Sequence, residues 1–246
     1  MIENAQLISL SRQIALQRQM DVVANNMANI NTTGFKGEQL LFEEFVMPVA
    51  RNQDFPTLDQ PLSYTQDWAT VHDLTGGAMV QTGSELDVGL NGEGFFAVQT
   101  QGGERWTKAG SFQLSANGTL VDLNGNAVLG EGGPIQFGPD ETGILVAADG
   151  AVSSSAGAKG RLRLVEFANP QQLTREGNNL YAGGTPVAAT NTRAMQGFVE
   201  KSNVSGVTEM SEMIRVTRAY ESAANLAQKQ DELRRTAIQR LGDTNA

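Results

Sequence analysis

The chain has 246 residues, of which 40% are hydrophobic and 18% charged, and this balance favours a folded protein over a disordered one. It contains no cysteine and a single histidine, His72, which excludes disulfides, thiol nucleophiles, cysteine-based zinc sites and multi-histidine metal centres. The net charge of −9 falls in the middle of the chain, where residues 41–199 carry 17 acids against 8 bases, and this argues against nucleic acid as a partner.

An apolar stripe predicts a long helix near the start of the chain, from about residue 3 to about residue 28. Its members recur at spacings of 4 and 3 residues and so share one helix face: Leu16, Met20, Val23, Met27 and Ile30. The first residues lack a basic patch followed by an apolar run, so no cleavable secretory signal is predicted. No stretch approaches the roughly 20 apolar residues that a membrane span needs.

Residues 37–75 are predicted to form an irregular connector. Pro48, Pro56 and Pro61 prevent a long helix there, since proline lacks the backbone donor that a helix interior requires. His72 lies in this polar segment, and we interpret it as a surface side chain rather than a catalytic base.

The middle region, residues 76–195, is predicted to be a β domain of short antiparallel strands. Short apolar runs alternate with turn signals, and 22 of the 27 glycines lie between Gly76 and Gly184. Two Asn-Gly pairs predict turns on either side of a strand at 119–123. The residues from Asp122 onward resemble a calcium-binding loop only faintly, because the glycine is misplaced and no glutamate closes the loop, so a plain hairpin is favoured.

The last region, residues 196–246, predicts a second helix of about 30 residues that begins near Ser205 or Thr208 and ends at Gly242. Its apolar stripe consists of Met213, Val216, Tyr220, Ala223 and Ala227. One interpretation is that both terminal helices pack on the central domain as ordinary core. The other is that they pair with each other, and with other subunits, in coiled-coil fashion, which their length and small residues favour.

Four stretches of the sequence resemble the flagellar axial proteins, the rod and hook family. The first runs from Ala24 to Lys36 and reads Ala-Asn-Asn-Met-Ala-Asn-Ile-Asn-Thr-Thr-Gly-Phe-Lys. The others are residues 82–96, residues 106–112, and residues 202–221 with their Ser-Asn-Val and Met-Ile-Arg-Val-Thr-Arg-Ala-Tyr-Glu runs. A smaller match is Gly-Asn-Asn-Leu-Tyr at residues 177–181. Because these stretches span nearly the whole chain in order, the resemblance is more specific than a single motif.

The resemblance implies an α+β fold in which residues 1–36 and 196–246 form an inner axial layer of paired helices and the β domain lies outside. It implies a structural subunit of the flagellar rod, in the periplasm, that transmits torque from motor to hook and is exported without a cleaved signal. The implied partners are proximal and distal rod subunits, copies of the chain itself, and the flagellar export apparatus. No enzyme activity, cofactor, nucleic acid or membrane span is expected.

Length and a single modest β region resemble a proximal rod member more than a distal one. The distal position is kept as an alternative, together with a carbohydrate-binding or cell-wall-acting β module, which neither an activating histidine pair nor a convincing carboxylate pair supports.

The family motif suggests a joint between the inner helix and the outer β region. Its candidate residues are Asn25, Asn26, Asn29, Thr32, Gly34 and Phe35. Gly34 follows a polar turn sequence at the end of a long helix, where a positive φ is often needed, and Phe35 supplies an apolar anchor. The alternative is an ordinary helix end at which the glycine serves only as a stop.

Overall fold

A computed structural model describes residues 2–46 and 63–243 of the chain. The two predicted helices are present: helix α1 spans Ile2–Ala28 and helix α2 spans Gly206–Asp243. Between them lie short strands whose pairs run antiparallel in every register that the structure defines, which confirms the α+β class. None of the described helices contains the long apolar stretch that a membrane span requires.

The chain divides into two compact units. The first unit contains Met1–Met27, Glu38–Val71 and Ser205–Ala246, and the second contains Ala28–Gly37 and His72–Val204. We call them the helical unit and the β unit.

The helical unit also holds a strand pair where an irregular connector was expected. Strand β1 spans Glu38–Val46 and pairs with strand β2, which spans Ser63–His72. The correction has a physical basis, because β2 is rich in Tyr, Thr, Trp and Val, which favour strands once a partner strand is available. Pro48, Pro56 and Pro61, on which the expectation rested, lie outside the described residues.

The β unit is built from seventeen short strands within its described residues. In chain order they are β3 Met79–Gln81, β4 Val88–Asn91, β5 Phe95–Thr100, β6 Gly103–Thr107, β7 Phe112–Leu114, β8 Leu120–Asp122, β9 Ala127–Gly130, β10 Gly133–Pro134, β11 Leu145–Val146, β12 Ala151–Ser154, β13 Gly157–Arg161, β14 Leu164–Glu166, β15 Thr174–Arg175, β16 Tyr181–Ala182, β17 Val187–Ala188, β18 Arg193–Gln196 and β19 Phe198–Glu200. The largest sheet follows the order β15-β16-β6-β5-β9-β8-β7, with β14 and β10 attached to β5 and β9.

Strand β5 is the centre of the β unit. Its residues Phe95, Phe96, Ala97 and Val98 are all fully buried. Because successive side chains of a strand point to opposite faces, Phe96 and Val98 join one apolar cluster while Phe95 and Ala97 join another. The sheet is therefore covered on both sides at this strand.

The predicted hairpin around β8 is present. Gly118 and Gly125 both adopt positive φ, at 75° and 83°, as Asn-Gly turns require. The Asp122 carboxylate accepts hydrogen bonds from the backbone N–H groups of Asn124 and Asn126, both at 2.8 Å. This carboxylate therefore closes its own turn, as the plain-hairpin interpretation expects.

His72 is buried, so the expectation of a surface side chain was wrong. Only 7% of it is exposed, its Nε2 lies 3.1 Å from the carbonyl oxygen of Leu173, and its ring meets Tyr181 edge to face. Both partners come about a hundred residues later in the chain, which is why the local sequence looked like a polar surface segment. Among the described residues, no three acidic or histidine side chains are placed to hold a metal ion.

Candidate functional site: the paired helices and the signature segment

Helices α1 and α2 contact each other through polar side chains within the helical unit. The Nε2 of Gln19 donates to Oε1 of Glu212 at 2.7 Å, and the Nδ2 of Asn26 donates to Oε2 of Glu209 at 3.4 Å. Residue numbers increase along α1 as they decrease along α2, so the two helices run antiparallel at this contact.

The apolar residues beside these hydrogen bonds are buried. Val23 stands between Gln19 and Asn26 at helical spacings of 4 and 3, and it is 4% exposed. Val216 stands one turn beyond Glu212 and is fully buried. The faces that carry the interhelix hydrogen bonds are therefore the faces of the two predicted stripes.

The other stripe residues lie as follows. Ala223 is buried and continues the α2 stripe from Val216. Six are half-buried within the helices: Leu16, Met20, Met27, Met213, Tyr220 and Ala227. Ile30 lies past the end of α1 at Ala28 and belongs to the β unit, so it does not extend the helical stripe.

The electrostatics of the helix pair reflect partial removal from water. Burial raises the pKa of Glu209, while the hydrogen bond from Asn26 opposes this rise. For Glu212 the hydrogen bond from Arg215 dominates and lowers the pKa of the carboxyl. The pKa values of the two glutamates thus shift in opposite directions because burial is the largest cause for Glu209 and the Arg215 hydrogen bond is the largest cause for Glu212.

Both helices also expose apolar side chains that the stripes do not include. They are Leu10, Ile14, Val207, Met210, Ile214, Leu226 and Leu233, each between 48% and 81% exposed. Val207, Met210 and Ile214 are spaced by 3 and 4 residues and so form a second apolar face on α2. The same spacing rule that predicted the stripes was available to identify this face from the sequence.

Asn26 ties the end of α1 to the start of β1. Its side chain is 3% exposed, its Nδ2 donates to the carbonyl of Glu38 at 2.9 Å, and its Oδ1 accepts from the N–H of Glu38 at 3.0 Å. The side-chain amide of Asn26 thus takes the place of a neighbouring strand as the hydrogen-bond partner of the Glu38 backbone. Its neighbour Asn25 is exposed.

Replacing Asn26 by alanine is expected to lower the free energy of unfolding of the helical unit by about 1–3 kcal/mol, because the Glu38 backbone groups lose their partners in a partly buried place. Gln17→Ala, at an exposed position of the same helix, is the matched control and should change it by about 0.5 kcal/mol or less. Urea unfolding followed by circular dichroism at the helical minimum measures both. If both variants lower the free energy of unfolding equally, the Asn26 side chain does not join α1 to β1 in the way described.

The signature segment, residues 28–37, belongs to the β unit. Its turn is closed by the N–H of Thr32, which donates to the carbonyl of Asn29 at 3.1 Å, and by the Thr32 hydroxyl, which donates to Oδ1 of Asn29 at 3.0 Å. The N–H of Phe35 then donates to the carbonyl of Thr32 at 3.3 Å. Asn29 and Thr32 therefore shape the chain reversal that follows α1.

Gly34 lies where no side chain fits. Its φ is +66°, and a Cβ at this position would lie 2.4 Å from the backbone carbon and oxygen of Lys108. The N–H of Gly34 donates to the carbonyl of Glu200 at 2.7 Å. Residue 34 is thus enclosed by two distant parts of the β unit.

Phe35 is 3% exposed, and the Arg175 guanidinium lies 4.1 Å from the centre of its ring. The Nη2 of Arg175 also donates to the carbonyl of Lys36 at 3.0 Å. A cation stacked on an aromatic ring and bonded to the next carbonyl holds the segment in place. Sequence reasoning identified Phe35 as an anchor but did not identify Arg175 as its partner.

Lys108 is a buried cation beneath this segment. It is 3% exposed, its Nζ donates to the carbonyl of Gly92 at 3.0 Å, and it lies 5.0 Å from the centre of the Phe95 ring. Desolvation by burial lowers its pKa to about 8, against an opposing effect of Glu200. Below that pH the folded protein therefore holds a poorly compensated charge.

The β unit is expected to gain stability as the pH rises from about 8 to about 10.5, because the unfolded chain keeps the Lys108 proton that the folded chain has lost. The gain is limited to about 3 kcal/mol, since one pKa unit corresponds to about 1.4 kcal/mol. Lys108→Met should remove this rise. Urea unfolding across this pH range measures the free energy of unfolding of both proteins. If that free energy rises with pH in Lys108→Met as it does in the unchanged protein, Lys108 is not the group responsible.

Comparison with known proteins gives matches along most of the chain. Residues 7–36 match the family described as flagella basal body rod protein, and residues 89–154 match the D1 domain of the flagellar hook protein FlgE/F/G. Residues 195–240 match the C-terminal region of the flagellar basal body rod FlgEFG protein.

Full-length relatives show the same pattern. The chain is 39% identical to the flagellar basal-body rod protein FlgF of Caulobacter vibrioides, over 99% of this chain and 100% of the relative. It is 32% identical to FlgF of Mesorhizobium japonicum, over 98% and 99%. It is also 32% identical to the rod protein FlgG of Bacillus subtilis, over 88% and 91%.

Proposed function

The chain belongs to the family of flagellar basal-body rod proteins, and from this we infer that it is a structural subunit of the bacterial flagellar rod, the shaft that carries torque from motor to hook. We propose further that α1 and α2 form its axial layer, that it occupies the proximal part of the rod, and that no catalysis is involved.

The helix pair is the observation that carries the axial assignment. Its two helices come from opposite ends of the chain, they hold buried stripe residues on their shared faces, and they leave apolar residues such as Val207 and Leu233 exposed. Exposed apolar surface on a helix favours association, because covering it removes that surface from water. We propose that neighbouring rod subunits and further copies of the chain cover these faces.

The proximal position is supported by the match to FlgF along nearly all of this chain, whereas the match to FlgG of Bacillus subtilis covers 88% of it. We place the subunit in the periplasmic section of the basal body, delivered there by the flagellar export apparatus.

Deletion of the gene and complementation with the full chain tests the structural role. Cells without the protein are expected not to swim and to lack complete rods in electron micrographs, and the full chain should restore both. Gold labelling of an epitope on isolated basal bodies then tests position. Label at the hook-proximal end would indicate the distal rod instead, and binding or cleavage of purified peptidoglycan would favour the cell-wall module.

A further inference from the structure

The chain passes between its helical unit and its β unit four times, at 27/28, 37/38, 71/72 and 204/205. On the β-unit side, three of these passages lie close together: residues 34–37, residues 72–77 and residues 200–203. We call them the three passage segments. Each is joined to the other two by side-chain hydrogen bonds within the β unit.

A buried ion pair is the centre of this arrangement. The Nζ of Lys36 lies 2.5 Å from Oε1 of Glu200 and donates to the carbonyl of Thr75 at 2.6 Å. The same Glu200 oxygen accepts from the N–H of Gly77 at 2.7 Å. Lys36 is fully buried and Glu200 is 3% exposed, so one pair without access to solvent connects all three passage segments.

Asn203 makes a second set of connections among the same segments. Its Oδ1 accepts from the N–H of Gly37 at 2.8 Å, and its Nδ2 donates to the carbonyl of Asp73 at 2.8 Å. The N–H of Asp73 in turn donates to the carbonyl of Gly37 at 2.8 Å. Asn203 thus bonds to the first and the second passage segment at once.

The chemistry of the ion pair favours a role in determining which segments pack together over a role in stabilising the fold. Desolvating two charges costs several kcal/mol each, so a buried pair often stabilises a fold no more than apolar residues of the same size. Its consequence is that loss of Glu200 leaves Lys36 as an uncompensated buried charge, because Glu200 is the one acid paired with Lys36 among the described residues. If Lys36 is lost, Glu200 keeps the attraction of the buried Lys108 but loses its hydrogen-bonded cation. The pair therefore couples the three segments to one another.

We propose that Lys36, Glu200 and Asn203 form a polar clasp that locks the three passage segments into one cooperative element of the β unit. The clasp is a property of the single chain and needs no assembly. In the rod, which is the setting that the proposed function implies, load carried along the chain at three of the four passages would enter the β unit through the clasped segments.

Amide hydrogen exchange of the full-length monomer, measured by NMR, tests the clasp. The question is whether a variant that removes one set of hydrogen bonds speeds exchange at an amide in the other set. Lys36→Met and Glu200→Gln are expected to speed exchange at the Gly37 amide, which bonds to Asn203, by tenfold or more. Asn203→Ala should do the same at the Gly77 amide, which bonds to Glu200. The central strand β5 should keep its protection in Asn203→Ala, which removes only neutral hydrogen bonds.

The matched control is Arg163→Met, which breaks the exposed ion pair between Arg163 and Glu104 in the same unit and should leave the Gly37 and Gly77 amides unchanged. If each variant affects only the amide that its own side chain contacts, the two sets of bonds are independent and the clasp does not exist. Equal loss of protection at β5 in Asn203→Ala would also overturn it, since that would be general destabilisation. Neither readout depends on rod assembly.

Discussion

Replacing Val23 or Val216 by aspartate is expected to abolish swimming and rod formation. Both side chains are almost fully buried on the shared faces of α1 and α2, within the helical unit. A carboxylate there loses its hydration without gaining a cation, at a cost of several kcal/mol. The helices should therefore separate or fray, and the purified monomer should lose helical circular dichroism while the β unit keeps its melting temperature.

Two control variants carry the same carboxylate on the same helices. Ala24→Asp and Val207→Asp change exposed positions next to the buried stripes, and both should keep the helical signal of the monomer. Val207→Asp also tests whether neighbouring subunits cover the exposed apolar face of α2, because it places a charge on that face and leaves the buried stripe intact. If Val23→Asp cells swim normally, or if all four monomers lose the same amount of helix, the stripe is not the pairing surface.

The helices were predictable because their signal is local. Every stripe residue within α1 and α2 follows from 3.6-residue periodicity. The predicted start of α1 differs from the observed one by one residue, and the predicted end coincides with the observed end at Ala28. Strand β1 was missed because its partner β2 lies beyond a segment with three prolines, and nothing in either strand alone specifies the pairing. Non-local contacts of this kind are not encoded in any short window.

The burial of three charged residues was also not predictable from the sequence. Lys36, Lys108 and Glu200 are charged residues in polar stretches, which are exposed in most proteins. Only the folding of the β unit brings Glu200 to Lys36 and encloses both. By contrast, the turn chemistry of Asp122 and the Asn-Gly pairs acts within a few residues, and there the expected hairpin matches the structure.

Gly34 has one property that the local sequence predicts and one that depends on a distant part of the chain. Its position after α1, in a polar turn sequence, predicts a positive φ, and the structure has φ at +66°. What the sequence does not contain is the backbone of Lys108, which leaves no room for a side chain at residue 34. The first effect is a conformational cost for any other residue, while the second is a steric cost specific to this contact.

Gly34→Ala is expected to release the signature segment from the β unit and to prevent rod assembly. A positive φ costs a non-glycine residue about 1–2 kcal/mol, and overpacking against fixed backbone adds about 1–3 kcal/mol. Gly125→Ala is the matched control, because its φ of +83° carries the first cost while, apart from its chain neighbours, no described residue has an atom within 4 Å of the added carbon. Gly34→Val should be at least as severe as Gly34→Ala.

The comparison separates a joint from a simple helix stop. A stop signal needs only the positive φ, so Gly34→Ala and Gly125→Ala would then lose similar free energies of unfolding, and both strains would swim. A joint requires the close approach to Lys108 as well, so only the Gly34 variants should lack rods in electron micrographs. Phe35→Ala, which removes the ring that Arg175 covers, should resemble the Gly34 variants. Rods of normal length in Gly34→Val and Phe35→Ala cells would show that the signature segment can leave its place in the β unit without consequence for the shaft.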